Sequence, residues 1–415
     1  MSRPAPVLDA LPVEEPRPVV ILDALPAEPP QLPPLPPPPL PPPLPVRRRG
    51  VLGFLGRCFR GLASVAEWLF GAIALMVGLA VLAALPILQL LSLGYLLEAG
   101  GRVARTGRLR DGFIGVRLAA RLGSIVLGCW LLLLPIRFVA SFAYSAHIID
   151  PGGPLARGWR LGMLILIVAT GLHIAAACAR GRLRYFFWPF NLIWLIRQVW
   201  RGGWYTRARD AVWDTFLTLR LDHYFRLGWN GFLAAFLWLV IPVSLLALGP
   251  KAPILGFLGA LLLGIVLLYL PFLQLRVAEQ NRLAAGFELR AARADFRAAP
   301  WACAFAFVFT LATALPLYLL KIEMIPREAA WLPSLVFIAF IFPARLVTGW
   351  AISRARRRDQ APRHWFFRWT GRLPLLPAVA FYVLIVYFTQ FTSWNGIWNL
   401  YEQHAFLVPV PFFSL

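Results

Sequence analysis

The chain has 415 residues, of which 59% are apolar and 14% charged, and its mean hydropathy is +0.67. An average soluble protein carries roughly 25% charged residues, and a soluble domain of this size could not hide so much apolar surface. A soluble enzyme, a collagenous chain and a disulfide-stapled secreted module are excluded. The net charge of +22 comes from 39 Arg, two Lys (Lys251 and Lys321) and 19 acids. In a soluble protein that balance would point to nucleic acid. Here the arginines fall between apolar runs, as the positive-inside rule predicts for cytoplasmic loops, so anionic lipid headgroups are the expected partners and nucleic acid is not.

Residues 1–60 read as a disordered, Pro-rich tail ending in Arg. Positions 29–45 hold 12 prolines in 17 residues, enough for a polyproline II rod of about 50 Å. Ahead of it, Leu8-Asp9-Ala10-Leu11-Pro12 recurs as Leu22-Asp23-Ala24-Leu25-Pro26. The pair reads either as two docking strings for a protein partner, with Leu8, Asp9, Leu11, Leu22, Asp23 and Leu25 as contacts, or as replication slippage. Pro42–Arg47 matches the PxxPx[KR] pattern, which so proline-rich a stretch meets almost unavoidably. Residues 1–46 lack the charged and apolar regions of a signal peptide, so the first span is expected to act as the membrane signal.

Eight apolar runs near the ~20 residues that cross a bilayer follow. They lie at 62–85, 119–142, 160–179, 230–249, 253–275, 301–320, 331–351 and 373–392. The expected fold is an all-α polytopic membrane protein. Connections 100–121, 180–229, 276–299 and 352–372 carry 27 Arg, against five Lys or Arg in the alternate connections. That bias places the long connections in the cytoplasm and the C-terminus outside. Eight single crossings would then put the tail outside too, against Arg47, Arg48, Arg49, Arg57 and Arg60. The alternative is that residues 62–99 enter and return as a hairpin broken at Pro86, and a cytoplasmic tail is the expectation.

Internal echoes suggest a duplication. Pro86–Leu90 matches Pro271–Leu275 at an offset of 185, Leu134-Pro135 matches Leu315-Pro316 at 181, and Phe186-Phe187 matches Phe366-Phe367 at 180. Four spans per unit imply two parallel four-helix repeats. The corresponding divisions are a tail at 1–60, a first repeat at 61–229, the fourth span and second repeat at 230–392, and a short C-terminal tail at 393–415. Leu85–Leu97, with Gly101-Arg102-Val103 and Leu109–Phe113, resembles an uncharacterised prokaryotic membrane domain family. That family has a proline, then glycine–tyrosine, at the end of its first helix, followed by a basic stretch. The resemblance covers roughly residues 62–145 and implies a membrane location and a helical fold, with no assigned reaction. The second repeat lacks the glycine–tyrosine pair.

Few groups suit chemistry. Arg137, Arg345, His173 and Glu67 lie near span ends and are expected to snorkel, His173 as a hydrogen-bonded interhelical residue. Ala74 with Gly78, Ala80 with Ala84 and Ala175 with Ala179 suit close helix packing. Trp213, Phe216, Leu217, Leu221, Tyr224 and Phe225 share one face of an expected interfacial helix. The four cysteines show no metal or redox spacing, Asp210, Asp214 and His223 do not share a face, and no cofactor or metal is expected. Arg102, Arg105, Arg182, Arg184, Arg356, Arg357 and Arg358 are the candidate lipid-headgroup contacts. The expected function is a non-enzymatic organising role, with lipid held by the loops and a partner by the tail. A transporter or channel with its site between the repeats is the rival, and the expected location is the bacterial cytoplasmic membrane.

Overall fold

A computed structural model describes residues 51–180, 183–188, 190–319, 331–358, 362–392, 396–403 and 406–407. The Pro-rich segment and both Leu-Asp-Ala-Leu-Pro strings lie outside these residues. Thirteen α-helices are present among them, with no strand: α1 (Val51–Ala83), α2 (Gln89–Thr106), α3 (Val116–Ile149), α4 (Pro154–Arg180), α5 (Asn191–Trp200), α6 (Trp204–Leu219), α7 (Leu221–Ala247), α8 (Pro253–Gln280), α9 (Leu289–Ala298), α10 (Pro300–Leu319), α11 (Trp331–Arg356), α12 (Trp365–Thr370) and α13 (Leu375–Thr392). Eight stretches are long and apolar enough to cross a membrane, and they fall on all eight expected spans. The protein is a polytopic α-helical membrane protein. Pro135, Pro242, Pro271, Pro316 and Pro343 lie inside these helices without ending them, which neighbouring helices make tolerable in a membrane.

The main addition to the expected order is α2, which is too polar to count as a span yet sits at the centre of the bundle. Twelve of its 18 residues are buried. Small residues let three helices close on it. A Cβ at Gly94 would stand 2.9 Å from the Gly228 nitrogen of α7, and one at Gly228 would stand 3.0 Å from the Gly94 nitrogen. Towards α11, a Cβ at Gly349 would meet the Gly100 carbonyl carbon at 3.1 Å, and on α8 Ala278 lies as close to Gly101. Backbones approach this closely only where no side chain intervenes.

The contacts also fix direction. Gly100 and Gly101 pack against Leu275 and Ala278, and Gly107 beyond the end of α2 packs on Arg357. Helices α2, α8 and α11 therefore run the same way and end together, at the end of the bundle where the Arg-rich connections lie. At that basic end Trp68 of α1 packs at a tilt against Phe113 (5.0 Å between centroids) and Gly71 meets Val116, while deeper in, the Ser92 hydroxyl donates to the Leu79 carbonyl at 2.8 Å. Helices α1 and α2 are thus an antiparallel hairpin that enters and leaves by one face. Of the two expected arrangements for residues 62–99, the hairpin is the one formed. Its turn is Ala84-Leu85-Pro86-Ile87-Leu88, with Leu85 and Ile87 exposed. The N–H groups of Ala84 and Leu85 bond back to α1, and those of Leu88, Gln89, Leu90 and Leu91 bond to turn carbonyls, which leaves Ile87 N–H as the one amide of this stretch without a bond among the described residues. An apolar turn with all but one of its amides satisfied locally suits hydrocarbon, not water.

Several boundaries move. Helix α7 begins at Leu221, so the expected division between 229 and 230 falls inside it. The expected interfacial helix over Trp213–Phe225 is broken at Arg220, which is left-handed (φ 47°), and Tyr224 and Phe225 belong to the span instead. Trp213 and Leu217 of α6 do present exposed apolar side chains. The echo at offset 185 does not join equivalent places, because Pro86 lies in the hairpin turn and Pro271 within α8.

A different duplication is visible in the backbone. Arg102-Val103-Ala104-Arg105-Thr106-Gly107-Arg108-Leu109-Arg110-Asp111-Gly112-Phe113 corresponds to Arg276-Val277-Ala278-Glu279-Gln280-Asn281-Arg282-Leu283-Ala284-Ala285-Gly286-Phe287, identical at seven of twelve positions. Each copy ends a helix at a left-handed residue (Gly107, φ 73°; Asn281, φ 51°), extends at Arg108 or Arg282, and closes a 3₁₀ turn. In each, the glycine packs on the valine of its own copy, and the final Phe meets a Trp of the preceding long helix, Trp68 or Trp238. Sequence, backbone and the glycine–valine contact coincide at an offset of 174, while the two tryptophans stand 170 apart, about one helical turn out of that register.

Candidate functional site at the basic end

The two copies of this motif differ in what surrounds their first arginine. In the second copy Arg276 is buried and its charge is met twice. Nη2 lies 2.8 Å from Asp295 Oδ2 on α9, and Nη1 lies 3.7 Å from Glu288 Oε2. Glu288 also accepts from Gln280 at 2.9 Å, and Glu279 on the same helix end pairs with Arg356 of α11. Buried Arg276 and half-buried Arg356 thus sit among three carboxylates, the arrangement in which a buried charge is tolerated.

In the first copy the counter-charges are replaced. Ile114 stands at the position of Glu288, and exposed Arg121 at that of Asp295. Arg102 is half-buried, and among the described residues no carboxylate lies within 4.0 Å of it. It lies within electrostatic reach of the Tyr95 and Tyr224 side chains, and Arg220 likewise reaches Tyr224. The nearby acid Glu98 is already engaged, by Arg105 at 2.7 Å and by His223 at 3.6 Å. The Gly94–Gly228 crossing holds these side chains together by pinning α2 to the first turns of α7. The result gathers three arginines, two tyrosines and a histidine near Glu98 at the basic end of the bundle, with Asp222 in the same first turn of α7. Guanidinium and phenol groups are the donor types that can meet an anion.

The remaining candidate contacts are placed as follows. Arg357 donates to the Gly107 carbonyl at 3.5 Å and Arg358 is exposed. Arg356 faces Glu279, so its charge is largely spent within the protein. Arg182 and the Arg184 side chain lie outside the described residues. Tyr224, His223 and Arg220 were not legible as part of a site, since 118 or more residues separate them from Arg102. The signal was the R-V-A…R-L-x-x-G-F repetition, which marks one copy as the deviant.

Elsewhere, polar side chains serve packing. His173 Nε2 contacts the Phe186 carbonyl at 2.9 Å, and buried Asn191 joins it to Arg180, which lies over the rings of Tyr185 and Trp194. The expected interhelical role of His173 is thereby met. Arg345 differs from expectation. Because α11 continues to Arg356, Arg345 lies well inside the helix, is 1% exposed and does not snorkel. Glu67 and Arg137 are exposed. Cys129 and Cys178 bring their sulfurs to 4.0 Å between α3 and α4. A lateral apolar groove of about 660 Å³ runs between α7, α8 and α13 past Gly249, Gly256, Ala260, Gly264 and Val379. Among the described residues no three His, Cys, Asp or Glu side chains could hold a metal ion. Comparison with protein-family models, curated proteins and solved structures finds no match for the chain.

Proposed function

We propose that this protein is a non-enzymatic organiser of the membrane that holds anionic lipid headgroups at its basic end. The observation that carries this reading is the patch around Arg102, where the copy of a duplicated motif has lost the acids that neutralise its twin. A phosphate ester would supply the missing negative charge, and Arg105, Arg220 and the Tyr224 hydroxyl lie where they can share it. The exposed apolar side chains of α6 beside Arg209 suit the headgroup layer.

On the same reading the hairpin leaves the segment before α1 on the basic, cytoplasmic side of a bacterial inner membrane, free to tether a protein partner through its two repeated strings. The family resemblance of residues 62–145 implies the same location. The two halves are taken as parallel repeats in the register of Arg102 and Arg276.

Native mass spectrometry of the full chain in mild detergent, with phosphatidylglycerol or phosphatidylcholine added, tests the lipid reading. Preferential retention of the anionic lipid, lowered at least threefold by Arg102→Ala with Arg105→Ala, is expected. Equal retention of both lipids by the unmodified chain would refute it. Comparing proteins co-purified with the full chain and with a chain lacking residues 1–46 tests the tether. A stoichiometric partner that depends on the tail is expected.

A further inference from the structure

The segment after α13 does not trail away from the bundle. From the end opposite the basic one it turns back, and Asn399, Leu400, Gln403 and Phe406 are each no more than 1% exposed. Polar groups from several helices receive it. The Asn399 amide donates to the Thr389 carbonyl at 3.2 Å, and the Ser244 and Tyr401 hydroxyls are 2.9 Å apart. Tyr382, itself hydrogen-bonded to Tyr318 at 2.9 Å, donates to Gln403 Oε1 at 3.4 Å. Deepest of all, Gln274 Nε2 donates to the Phe406 carbonyl at 2.7 Å, only six residues from the basic end of α8.

A buried, uncharged set of donors and acceptors is costly in a membrane unless it is occupied. If the role of residues 396–403 and 406–407 were only to cover apolar helix faces, Leu, Ile and Phe would suffice. Instead the segment brings two side-chain amides, a tyrosine hydroxyl and a backbone carbonyl to meet Ser244, Gln274, Tyr382 and Thr389. Capacity is left over, since buried Gln274 Oε1 and Gln390 Oε1 accept no hydrogen bond.

We infer that residues 396–403 with Phe406 and Leu407 occupy, as a built-in ligand, a polar intramembrane site among α7, α8, α10 and α13 that takes a small neutral molecule bearing an amide and an aromatic or apolar group. The chemistry follows from the occupant. Uncharged partners line the site, an amide or carbonyl meets Gln274, and the Phe406 side chain fills the apolar remainder. Access is from the end opposite the basic one, where α13 finishes. This site is independent of the lipid patch at Arg102.

The test places cysteines at Ser244→Cys or Thr389→Cys and follows their labelling by a membrane-impermeant maleimide in sealed vesicles, with each site read by peptide mapping. In the full chain labelling is expected to be slow. In a chain ending at Thr392, and in the full-length Gln403→Ala, Phe406→Ala chain, it should rise at least tenfold and at least threefold respectively. N-acetylphenylalanine amide at millimolar concentration should slow labelling of the shortened chain at least twofold. Unchanged labelling in the full-length double variant, which keeps every helix, would overturn the site even if the shortened chain failed to fold. Fast labelling that the amide does not slow would overturn the ligand class.

Discussion

The crossing of α2 and α7 is the contact on which the basic patch depends, and it can be probed with a single methyl group. In Gly94→Ala the new Cβ would lie 2.7 Å from the Tyr224 carbonyl carbon and 2.9 Å from the Gly228 nitrogen, and closer still to the carbonyl oxygen. Ordinary contact begins at 3.4 Å, so the helices must part by at least about 0.7 Å, and nothing flexible lies in the way to yield instead. A gap of 0.5–1 Å forfeits roughly a quarter to a half of each dispersion contact along the interface. Overpacking of a tight core typically costs about 1–3 kcal/mol, and backbone opposing backbone places this variant at the upper end. About 3 kcal/mol is roughly a hundredfold in the folded-to-unfolded ratio, and a melting point lower by about 5 °C or more is expected. Gly228→Ala should behave alike, since its Cβ would meet the Leu90 carbonyl carbon at 2.8 Å. Gly78→Ala is the control, because no atom lies within 4 Å of its Cβ. Thermal unfolding followed by size-exclusion chromatography in detergent reads all three. If Gly94→Ala melts within 1–2 °C of Gly78→Ala, the account of the crossing is wrong.

Asp295→Ala should destabilise the chain by about 3–5 kcal/mol, because it strands buried Arg276 without its nearest counter-charge. Adding Arg276→Met should recover much of the loss in the same melting assay, and no recovery would show that the carboxylate matters for some other reason. Gln274→Leu removes the donor to the Phe406 carbonyl, and a loss of about 1–3 kcal/mol in chemical denaturation is the expected outcome. Mild oxidation should join Cys129 to Cys178, their sulfurs being 4.0 Å apart, and tie α3 to α4 in non-reducing peptide maps. Failure to cross-link would mean that the two helices do not meet at that level.

The spans were legible because twenty apolar residues in a row have few structural alternatives. The central helix was not. Gln89–Thr106 carries Glu98, Arg102 and Arg105, and its burial depends on glycines paired between helices, Gly94 with Gly228 and Gly100 with Gly349. Small-residue spacing along one helix cannot reveal such pairs. That search selected Gly78, which faces open space, and overlooked Gly94. The duplication was sensed through prolines, but proline is common in membrane helices, and the Pro86 echo joined a turn to a helix interior. The diagnostic residues were the plainer Arg, Val, Leu and Phe of a helix-ending turn. Arginine counts did indicate which face is basic. They could not distinguish Arg276, neutralised by two acids, from Arg102, which is not. The burial of residues 396–403 and Phe406 has no local signature, because their partners Ser244, Gln274 and Tyr382 lie 21 or more residues away in sequence.

The apolar turn at Pro86 also bears on the order in which the chain can be made. Helix α2 is too polar to be retained in lipid by itself, and the glycine surface that receives its far side, Gly349, is synthesised about 240 residues later. At about 5–20 residues per second that is a wait of roughly 12–50 s. Until α7, α8 and α11 have emerged, α2 has only water or the headgroup layer in which to place Glu98 and Arg102. Assembly must therefore finish by drawing an early, half-polar helix down among late, apolar ones. Chains that stop before α11 should keep α2 open to proteases added on the side of its basic end.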